Sequence, residues 1–272
     1  MVDSSHVATL ILWEVVLMRI FSLTDPQEAA GAYPCATEAP RPFWADGLEL
    51  SRSWFAESLG KHVEGLHVEE NGRVIGHIYW APSERALVPY RTEPGVAWIY
   101  CEWIQRSHQE RGYMRALFSA FIEHLKDEGY KGVLVGATDY EGYMHHSHFA
   151  KRGFRVIREE GGGKLMYLPL SKAEVEVEPL VENIPVEGKA PVEVLVIGSQ
   201  FCPVGAATVV YLRKVAAELG DKVALVEVPA GPEALARYGV ADGIFINGRP
   251  SFFGPVTEDE VRAAIHRELE KT

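Results

Sequence analysis

A short polar turn, Gln109-Glu110-Arg111-Gly112, separates an apolar run of residues from a segment with helical spacing. The first amides of a helix have no hydrogen-bond partner within it and carry a partial positive charge, so a helix that begins here would attract a phosphate group. Gly112 would let the backbone approach such a ligand closely. The guanidinium groups of Arg111 and Arg115 would add charge-assisted contacts. The turn therefore predicts a binding site for a pyrophosphate.

A second set of side chains has the chemistry of proton transfer. Glu102 lies inside the apolar run 96–104, where burial of a charge costs free energy unless the charge is paired or has a function. It is either a general base, the partner of an arginine, or a residue that points outward. Tyr140, Tyr143 and His145 lie at or before a predicted helix and carry groups that could exchange a proton with a substrate. These four residues are the predicted catalytic candidates.

The three cysteines, Cys35, Cys101 and Cys202, are odd in number and far apart, which predicts neither a disulfide framework nor a zinc site. No other metal site is predicted. Cys202 precedes Pro203 at a predicted helix start, where a thiol has a lowered pKa and reacts more readily, so it is a candidate reactive thiol. The alternative is that Pro203 is the first helical residue and the thiol is packed and unused.

The amino-acid composition indicates which broad class of protein this is. The chain has 272 residues, 47% of them hydrophobic, and a net charge of -11, which is typical of a globular protein and argues against a nucleic-acid-binding surface. The apolar stretch 7–17 is too short to span a bilayer and contains Glu14, so we predict no membrane insertion. The cysteine usage favours a reducing, cytoplasmic setting. Residues 1–17 are either an extension ahead of the first strand or an extra packed element.

The elements that would position the candidate residues can be predicted from hydrophobic periodicity. Strands are predicted at 18–23, 65–70, 73–81, 96–104, 132–136, 155–157 and 165–168. Helices are predicted from residue 25 and at 48–59, 113–128 and 141–151. Asn71-Gly72 predicts a type I′ turn between two of the strands, because both residues tolerate positive φ. The segment 34–47, rich in proline and aromatic residues, predicts a loop beside the substrate.

A change of composition predicts a second domain. Residues 171–190 are rich in Glu, Val and Pro and predict a linker. Strands and helices then alternate at 192–197, 206–219, 223–228, 232–238, 243–247 and 257–270. We therefore predict four parts, which are an extension at 1–17, a first domain at 18–170, a linker at 171–190 and a small α/β domain at 191–272.

The first domain resembles the GNAT superfamily of N-acetyltransferases. Gln109-x-x-Gly112-x-Met114 is similar to the family motif Gln/Arg-x-x-Gly-x-Gly/Ala, and the segment from Phe149 to Gly153-Phe154 is similar to the family's tyrosine, three residues and Gly-Phe. The order of elements matches over about residues 18–170. The resemblance implies an α+β GNAT fold with a mixed central sheet.

The resemblance also implies that acetyl-CoA is the cosubstrate, with its pantetheine arm along the apolar strand and its pyrophosphate on the polar turn. The implied coenzyme-binding residues are Trp103, Ile104, Gln109, Arg111, Gly112, Tyr113, Met114 and Arg115. The implied acceptor is a primary amine of a small molecule or a peptide. Whether the protein forms a homodimer stays open.

Two residues depart from the family pattern. Met114 stands where the family has a small residue, which would make the amide cradle less tight. Phe149 stands where the family has tyrosine, and a phenyl ring cannot protonate a departing thiolate. Tyr143 and Tyr140 are therefore candidates for the acid. The same departures leave an alternative function, in which the domain binds acyl-CoA as a sensor and does not turn it over.

The second domain resembles a thioredoxin-like module, because Cys202-Pro203-Val204-Gly205 follows a strand and opens a helix, and 243–249 resembles the hairpin of that fold. A GNAT domain followed by such a module resembles acetyltransferases of the YoaP type. Gly205 stands where a second cysteine would be, so the redox alternative is a monothiol protein that uses Cys202. A further hypothesis is that the second domain covers the acceptor side of the first.

Overall fold

The computed structural model describes residues 18–22, 45–88, 90–160, 163–172, 175–178, 184–198, 202–230, 232–240, 243–252 and 256–271. Three predicted features lie wholly or mostly outside these residues. They are the extension 1–17, the helix from residue 25 and the loop 34–47.

Seven strands form the first sheet, in the order β1-β2-β3-β4-β5-β7-β6. Their bounds are β1 Met18–Ser22, β2 Glu64–Glu70, β3 Arg73–Pro82, β4 Val96–Ile104, β5 Gly132–Thr138, β6 Arg155–Glu160 and β7 Gly163–Pro169. Neighbouring strands are antiparallel except β4 and β5, which are parallel, so the central sheet is mixed as expected. Asn71 and Gly72, with φ of 50° and 81°, make the predicted turn between β2 and β3.

Three helices of the first domain are α1 Leu48–Ser58, α2 Tyr113–Asp127 and α3 His146–Ala150. α2 lies on one face of the sheet and buries Leu117, Phe121 and Leu125 at helical spacing. Its predicted bounds are confirmed to within one residue. Among the described residues, no helix is both long and apolar enough to cross a membrane.

α3 begins five residues later than predicted. The chain before it is left-handed at Gly142 and Met144, with φ of 74° and 44°, which a helix does not allow. The Thr138 amide donates to the Met144 carbonyl at 2.9 Å, so the end of β5 holds this turn in place. The prediction of a helix from 141 was wrong because this contact between the strand end and the turn has no signature in the sequence.

β4 and β5 diverge, and this divergence opens the sheet. Their pairing ends at Ile99 and Val135, whereas β4 continues to Ile104. On its other edge β4 has a bulge at Tyr100, because Tyr79 of β3 pairs with Cys101 and the next residue of β3 pairs with Ile99. A bulge redirects the side chains that follow it. The last residues of β4 therefore line a gap in the middle of the sheet.

The second domain has a four-stranded sheet in the order β11-β10-β8-β9. Its elements are β8 Val192–Ile197, α4 Pro203–Leu219, β9 Val223–Val228, α5 Pro232–Tyr238, β10 Gly243–Ile246, β11 Arg249–Pro250 and α6 Glu258–Leu269. β8 and β9 are parallel, while β10 is antiparallel to both β8 and β11. α4 begins three residues earlier than predicted because Cys202 is its N-cap and Pro203 its first residue.

The two domains pack through α1 and α4. A side chain at Gly47, the N-cap of α1, would overlap the Pro203 carbonyl and the Ala207 amide of α4, so only glycine allows this approach. The Tyr211 hydroxyl on α4 donates to the carboxylate of Asp46, next to Gly47. The backbone contact at the start of α4 and the hydrogen bond in its middle together fix α4 against the start of α1.

The described residues of the predicted linker contact both domains. The Glu178 amide donates to the Arg91 carbonyl at 2.9 Å, and Val177 pairs with Thr92. Ile184, which is 4% exposed, donates its amide to the Gly248 carbonyl at 2.7 Å. These contacts join the linker to the first domain at one end and to the second domain at the other.

Two buried histidines face each other on the α1 side of the sheet. His67 on β2 pairs in register with His77 on β3, and both are fully buried. His67 Nε2 lies 2.8 Å from the Tyr79 hydroxyl, and the Phe55 ring of α1 covers Tyr79 with 4.6 Å between ring centroids. Burial lowers the pKa of His67 to about 4 and holds the pKa of His77 well below its usual value. Both rings are therefore neutral at neutral pH.

We expect the free energy of unfolding to fall between about pH 6.5 and pH 4 because of His67. In the unfolded chain this residue takes up a proton near pH 6.5, whereas in the folded state its pKa is about 4. The unfolded state thus binds more protons in this window, and stability drops by about 3 kcal/mol as the pH falls through it. Urea unfolding at several pH values should show a shallower loss for His67→Gln than for the wild type, and equal slopes would refute the assignment.

Candidate active site

A cleft of about 490 Å³ opens where β4 and β5 diverge. Three segments form its walls: the end of β4, the turn into α2, and the chain from the turn before α3 to just beyond that helix. The lining residues are Glu102, Trp103, Ile104, His108, Gln109, Glu110, Gly112, Tyr113, Met114, Arg115, Gly142, Tyr143, Met144, His145, His148, Phe149 and Arg152. The cleft therefore brings most of the predicted site residues together.

The turn into α2 presents the start of the helix to the cleft. Gly112 is the N-cap with a φ of 87°, and Glu110 is also left-handed with a φ of 64°. The Gln109 side-chain amide donates to the Ile104 carbonyl at 2.9 Å, which ties the turn to the end of β4. A side chain at Gly112 would meet no atom within 4 Å, so the space beside this N-cap is open. This is the geometry of an anion site at a helix N-terminus.

Seven of the eight residues expected to bind the coenzyme line the cleft, and Arg111 does not. Arg111 lies instead beside Glu70 and the Tyr113 hydroxyl. That hydroxyl donates to the Glu70 carboxylate, and His108 Nε2 lies 3.1 Å from the same carboxylate. The hydrogen bond holds the pKa of Glu70 below its usual value and raises the pKa of Tyr113. These contacts fasten the first residue of α2 to the end of β2.

Glu102 forms an ion pair across the gap in the sheet. Its Oε2 lies 2.5 Å from Nη1 of Arg152, which follows α3. The Arg152 guanidinium also lies 4.8 Å from the Phe118 ring centroid and 5.7 Å from that of Phe149. The sequence left open whether Glu102 is a base, the partner of an arginine or a residue that points outward. Glu102 has an arginine partner, and its role as a base stays a prediction. The pairing of Arg152 with Glu102 has no signal in the sequence, because no spacing rule links a strand residue to one fifty positions later.

Tyr143 is the candidate acid that the structure places in the cleft. Its carbonyl accepts from the Thr138 hydroxyl at 2.6 Å, which fixes its backbone to the end of β5. Its own hydroxyl donates to Sγ of Cys202 in the second domain at 3.7 Å. Tyr140 is 49% exposed and is not among the lining residues. Phe149, which stands where the family has tyrosine, is fully buried.

Cys202 does not have the lowered pKa that its place at a helix start predicted. Burial raises the pKa of the thiol and outweighs the effect of the nearby helix amides and of Tyr143. A thiol with a raised pKa is protonated at neutral pH and is a poor nucleophile. The alternative prediction, a packed thiol before Pro203 as first helical residue, agrees with this environment.

His145 caps α3 and lines the cleft. Its Nδ1 accepts from the Ser147 amide at 3.3 Å, and its Nε2 lies 3.5 Å from the Glu141 carboxylate. The neighbouring His146 turns to Asp139, with 3.3 Å between Nε2 and Oδ1. In the part of the chain that the structure describes, no group of three or more His, Cys, Asp or Glu side chains is arranged to hold a metal ion.

Residues 29–154 match the model of the acetyltransferase (GNAT) family. Solved structures similar to the chain include the GNAT family N-acetyltransferase YhbS from Escherichia coli in complex with CoA (15% identity, 57% of this chain and 82% of the other, TM-score 0.41). A second is the PaiA N-acetyltransferase from Thermoplasma acidophilum in complex with coenzyme A (14% identity, 56% of this chain and 99% of the other, TM-score 0.40). A third is a GNAT family acetyltransferase from Brucella melitensis in complex with acetyl-CoA (18% identity, 59% of this chain and 94% of the other, TM-score 0.38). A comparison with curated protein sequences gave no match.

The matched residues contain α1, α2, α3, the strands β2 to β5 and every lining residue of the cleft. The assignment rests on this match of the family model, since the solved structures are similar to the chain only at low identity. Residues 29–154 therefore form an acetyltransferase domain of the GNAT family, a family of acyltransferases.

Proposed function

We propose that the protein is an acetyl-CoA-dependent N-acetyltransferase that acts on a primary amine of a small molecule or a peptide. The observation that carries the proposal is the open start of α2 at Gly112, at one wall of a cleft that continues along the end of β4. The helix start suits the pyrophosphate of the coenzyme. The backbone at Trp103 and Ile104 belongs to the part of β4 that has left β5, so its amides are in reach of a bound thioester.

Acetyl-CoA supplies an acyl carbon activated as a thioester. Transfer forms a bond between that carbon and the amine nitrogen and breaks the bond between carbon and sulfur. The proton lost by the amine passes to a group in the cleft, for which Glu102 and His145 are the candidates. Tyr143 is the residue that would protonate the departing thiolate, because it lines the cleft and the residue at 149 is phenylalanine.

Each candidate base has a partner in the structure. The carboxylate of Glu102 is held by Arg152, and Nδ1 of His145 accepts from the Ser147 amide. Replacing Glu102 or His145 with glutamine separates the two candidates, because only loss of the base removes the acidic limb of the pH–rate profile.

We propose in addition that the second domain is a thioredoxin-like module. The order of its elements, β8-α4-β9-α5-β10-β11-α6, and the sheet order β11-β10-β8-β9 support this, as does the cysteine at the start of α4. A redox function of that cysteine is disfavoured, because burial raises the pKa of its thiol. The cytoplasmic location and the division at 170 and 190 stay predictions.

Transfer to amines tests the proposed function. We expect the purified full chain to release coenzyme A from acetyl-CoA in the presence of an amine, measured by mass spectrometry across polyamines, amino acids, amino sugars and peptides with free N-termini. Turnover that requires one class of amine supports the enzyme. Binding of acetyl-CoA without turnover over the whole panel would favour the sensor, and absence of binding would contradict both functions.

A further inference from the structure

We infer that the second domain completes the active site of the first, with Cys202 acting as a positioning residue for the Tyr143 hydroxyl. The inference rests on the proposed function and deepens it, because it makes the acetyltransferase a unit of two domains. It assigns a role to a half-buried thiol that neither a dithiol cycle nor a reactive cysteine explains.

The contact joins two segments that are each held independently. The backbone of Tyr143 is fixed to β5, because its carbonyl accepts from the Thr138 hydroxyl at 2.6 Å. Cys202 is fixed as the N-cap of α4, where its carbonyl accepts from the Ala206 amide at 2.9 Å. The hydrogen bond of 3.7 Å from the Tyr143 hydroxyl to Sγ therefore orients the hydroxyl of a residue that lines the cleft.

The packing of the domains fixes the sulfur relative to the cleft. Gly47 of α1 touches the backbone of Pro203, the residue next to Cys202. The hydrogen bond between Asp46 and Tyr211 adds a second contact farther along α4. α4 cannot move away from Tyr143 without breaking these contacts, so the position of the thiol is a property of the domain interface.

The chemistry of sulfur suits this role. A thiol is a weak acceptor, so it orients the phenol without holding its proton as firmly as a carboxylate would. Burial keeps the Cys202 thiol protonated at neutral pH, so it adds no negative charge where a thiolate must leave. Tyr143 would thus be held ready in the cleft and still be able to give up its proton.

A double-mutant cycle tests the inference through turnover. We expect Tyr143→Phe to lower kcat about 100-fold, as loss of a general acid does. Cys202→Ala should lower kcat about 5- to 10-fold, with KM for acetyl-CoA within about twofold, as loss of a neutral hydrogen bond does. The double variant should match Tyr143→Phe alone, because Cys202 acts only through Tyr143. Cys202→Ser, which keeps an acceptor, should regain most of the rate.

A second measurement does not depend on turnover. The rate of alkylation of Cys202 by iodoacetamide, followed by mass spectrometry of its peptide, should fall in Tyr143→Phe, because loss of the donor raises the pKa of the thiol further. It should rise several-fold in Gly47→Ala, which loosens the contact between the domains, and coenzyme A should slow it in the wild type. An active enzyme whose kcat is unchanged in Cys202→Ala, or additive effects in the double variant, would overturn the inference. Equal alkylation in the wild type and Tyr143→Phe would also overturn it. Absence of turnover in the wild type with every amine would instead refute the proposed function.

Discussion

Replacing Gly112 with valine should weaken the binding of acetyl-CoA by about 10- to 100-fold and leave the chain folded. Gly112 has a φ of 87°, in which a β-branched residue is strained, so the turn must relax away from its present geometry. The amides at the start of α2 then no longer converge on one point, and at least one hydrogen bond to a charged phosphate is lost. Isothermal titration with acetyl-CoA measures the loss directly.

Gly129 provides the matched control at the other end of the same helix. It has a φ of 79°, and a side chain there would also meet nothing within 4 Å, but it is not among the residues that line the cleft. Gly112→Val and Gly129→Val should each lower the free energy of unfolding by about 1–2 kcal/mol through backbone strain. Only the first should lower the affinity for acetyl-CoA. Equal affinities in the two variants would contradict the placement of the coenzyme at this turn.

The parts of the fold that follow local chemistry were predicted from the sequence. Asn71-Gly72 allows few turns other than the one observed. β4 has the predicted bounds because eight of its nine residues are apolar or aromatic, and its first four residues are buried. α2 follows from the spacing of its buried leucine and phenylalanine residues. In each case the signal and the structure lie within the same few residues.

The parts that depend on distant contacts were not predicted. The start of α3 is set by hydrogen bonds from Thr138 to the turn before the helix, and the sequence showed only helical spacing there. Burial of His67 and His77 depends on α1, which covers the strand face where polar side chains would otherwise meet water. A strand pattern indicates which residues share one face of the sheet, but it does not indicate which element covers that face.

The candidate site was predicted in its binding half more fully than in its catalytic half. The segment from Gln109 to Arg115 carries a motif, and five of its seven residues were expected at the cleft and line it. Arg111 was expected there but does not line the cleft, and Glu110 lines the cleft but was not expected. The contact of Tyr143 with Cys202 joins two domains, and the close approach at Gly47 depends on the path of α4. The effect of burial on the pKa of Cys202 is larger than that of the helix start, which composition alone could not weigh.

Replacing Arg152 with methionine should lower the free energy of unfolding by about 3 kcal/mol, because it leaves the carboxylate of Glu102 without its partner. The Glu102 side chain is only 8% exposed, so water solvates its carboxylate poorly in place of the guanidinium. Glu102→Gln should be less harmful, since Arg152 keeps 21% of its surface exposed and its contacts with the Phe118 and Phe149 rings. Urea midpoints at a constant slope of unfolding measure both effects.

The double variant Glu102→Met and Arg152→Met distinguishes the effect of losing the ion pair from the effect of leaving one buried charge unpaired. Two apolar side chains of similar volume should restore stability to within about 1 kcal/mol of the wild type, because no buried charge remains. Arg91→Met is the control, since the pair of Arg91 with Glu178 is exposed on both sides, at 51% and 62%, and should change stability by less than about 1 kcal/mol. If Arg152→Met is as mild as Arg91→Met, the pair does not hold the two sides of the cleft together. If it is severe and the double variant recovers stability but not turnover, the charges at the cleft serve the reaction as well as the fold.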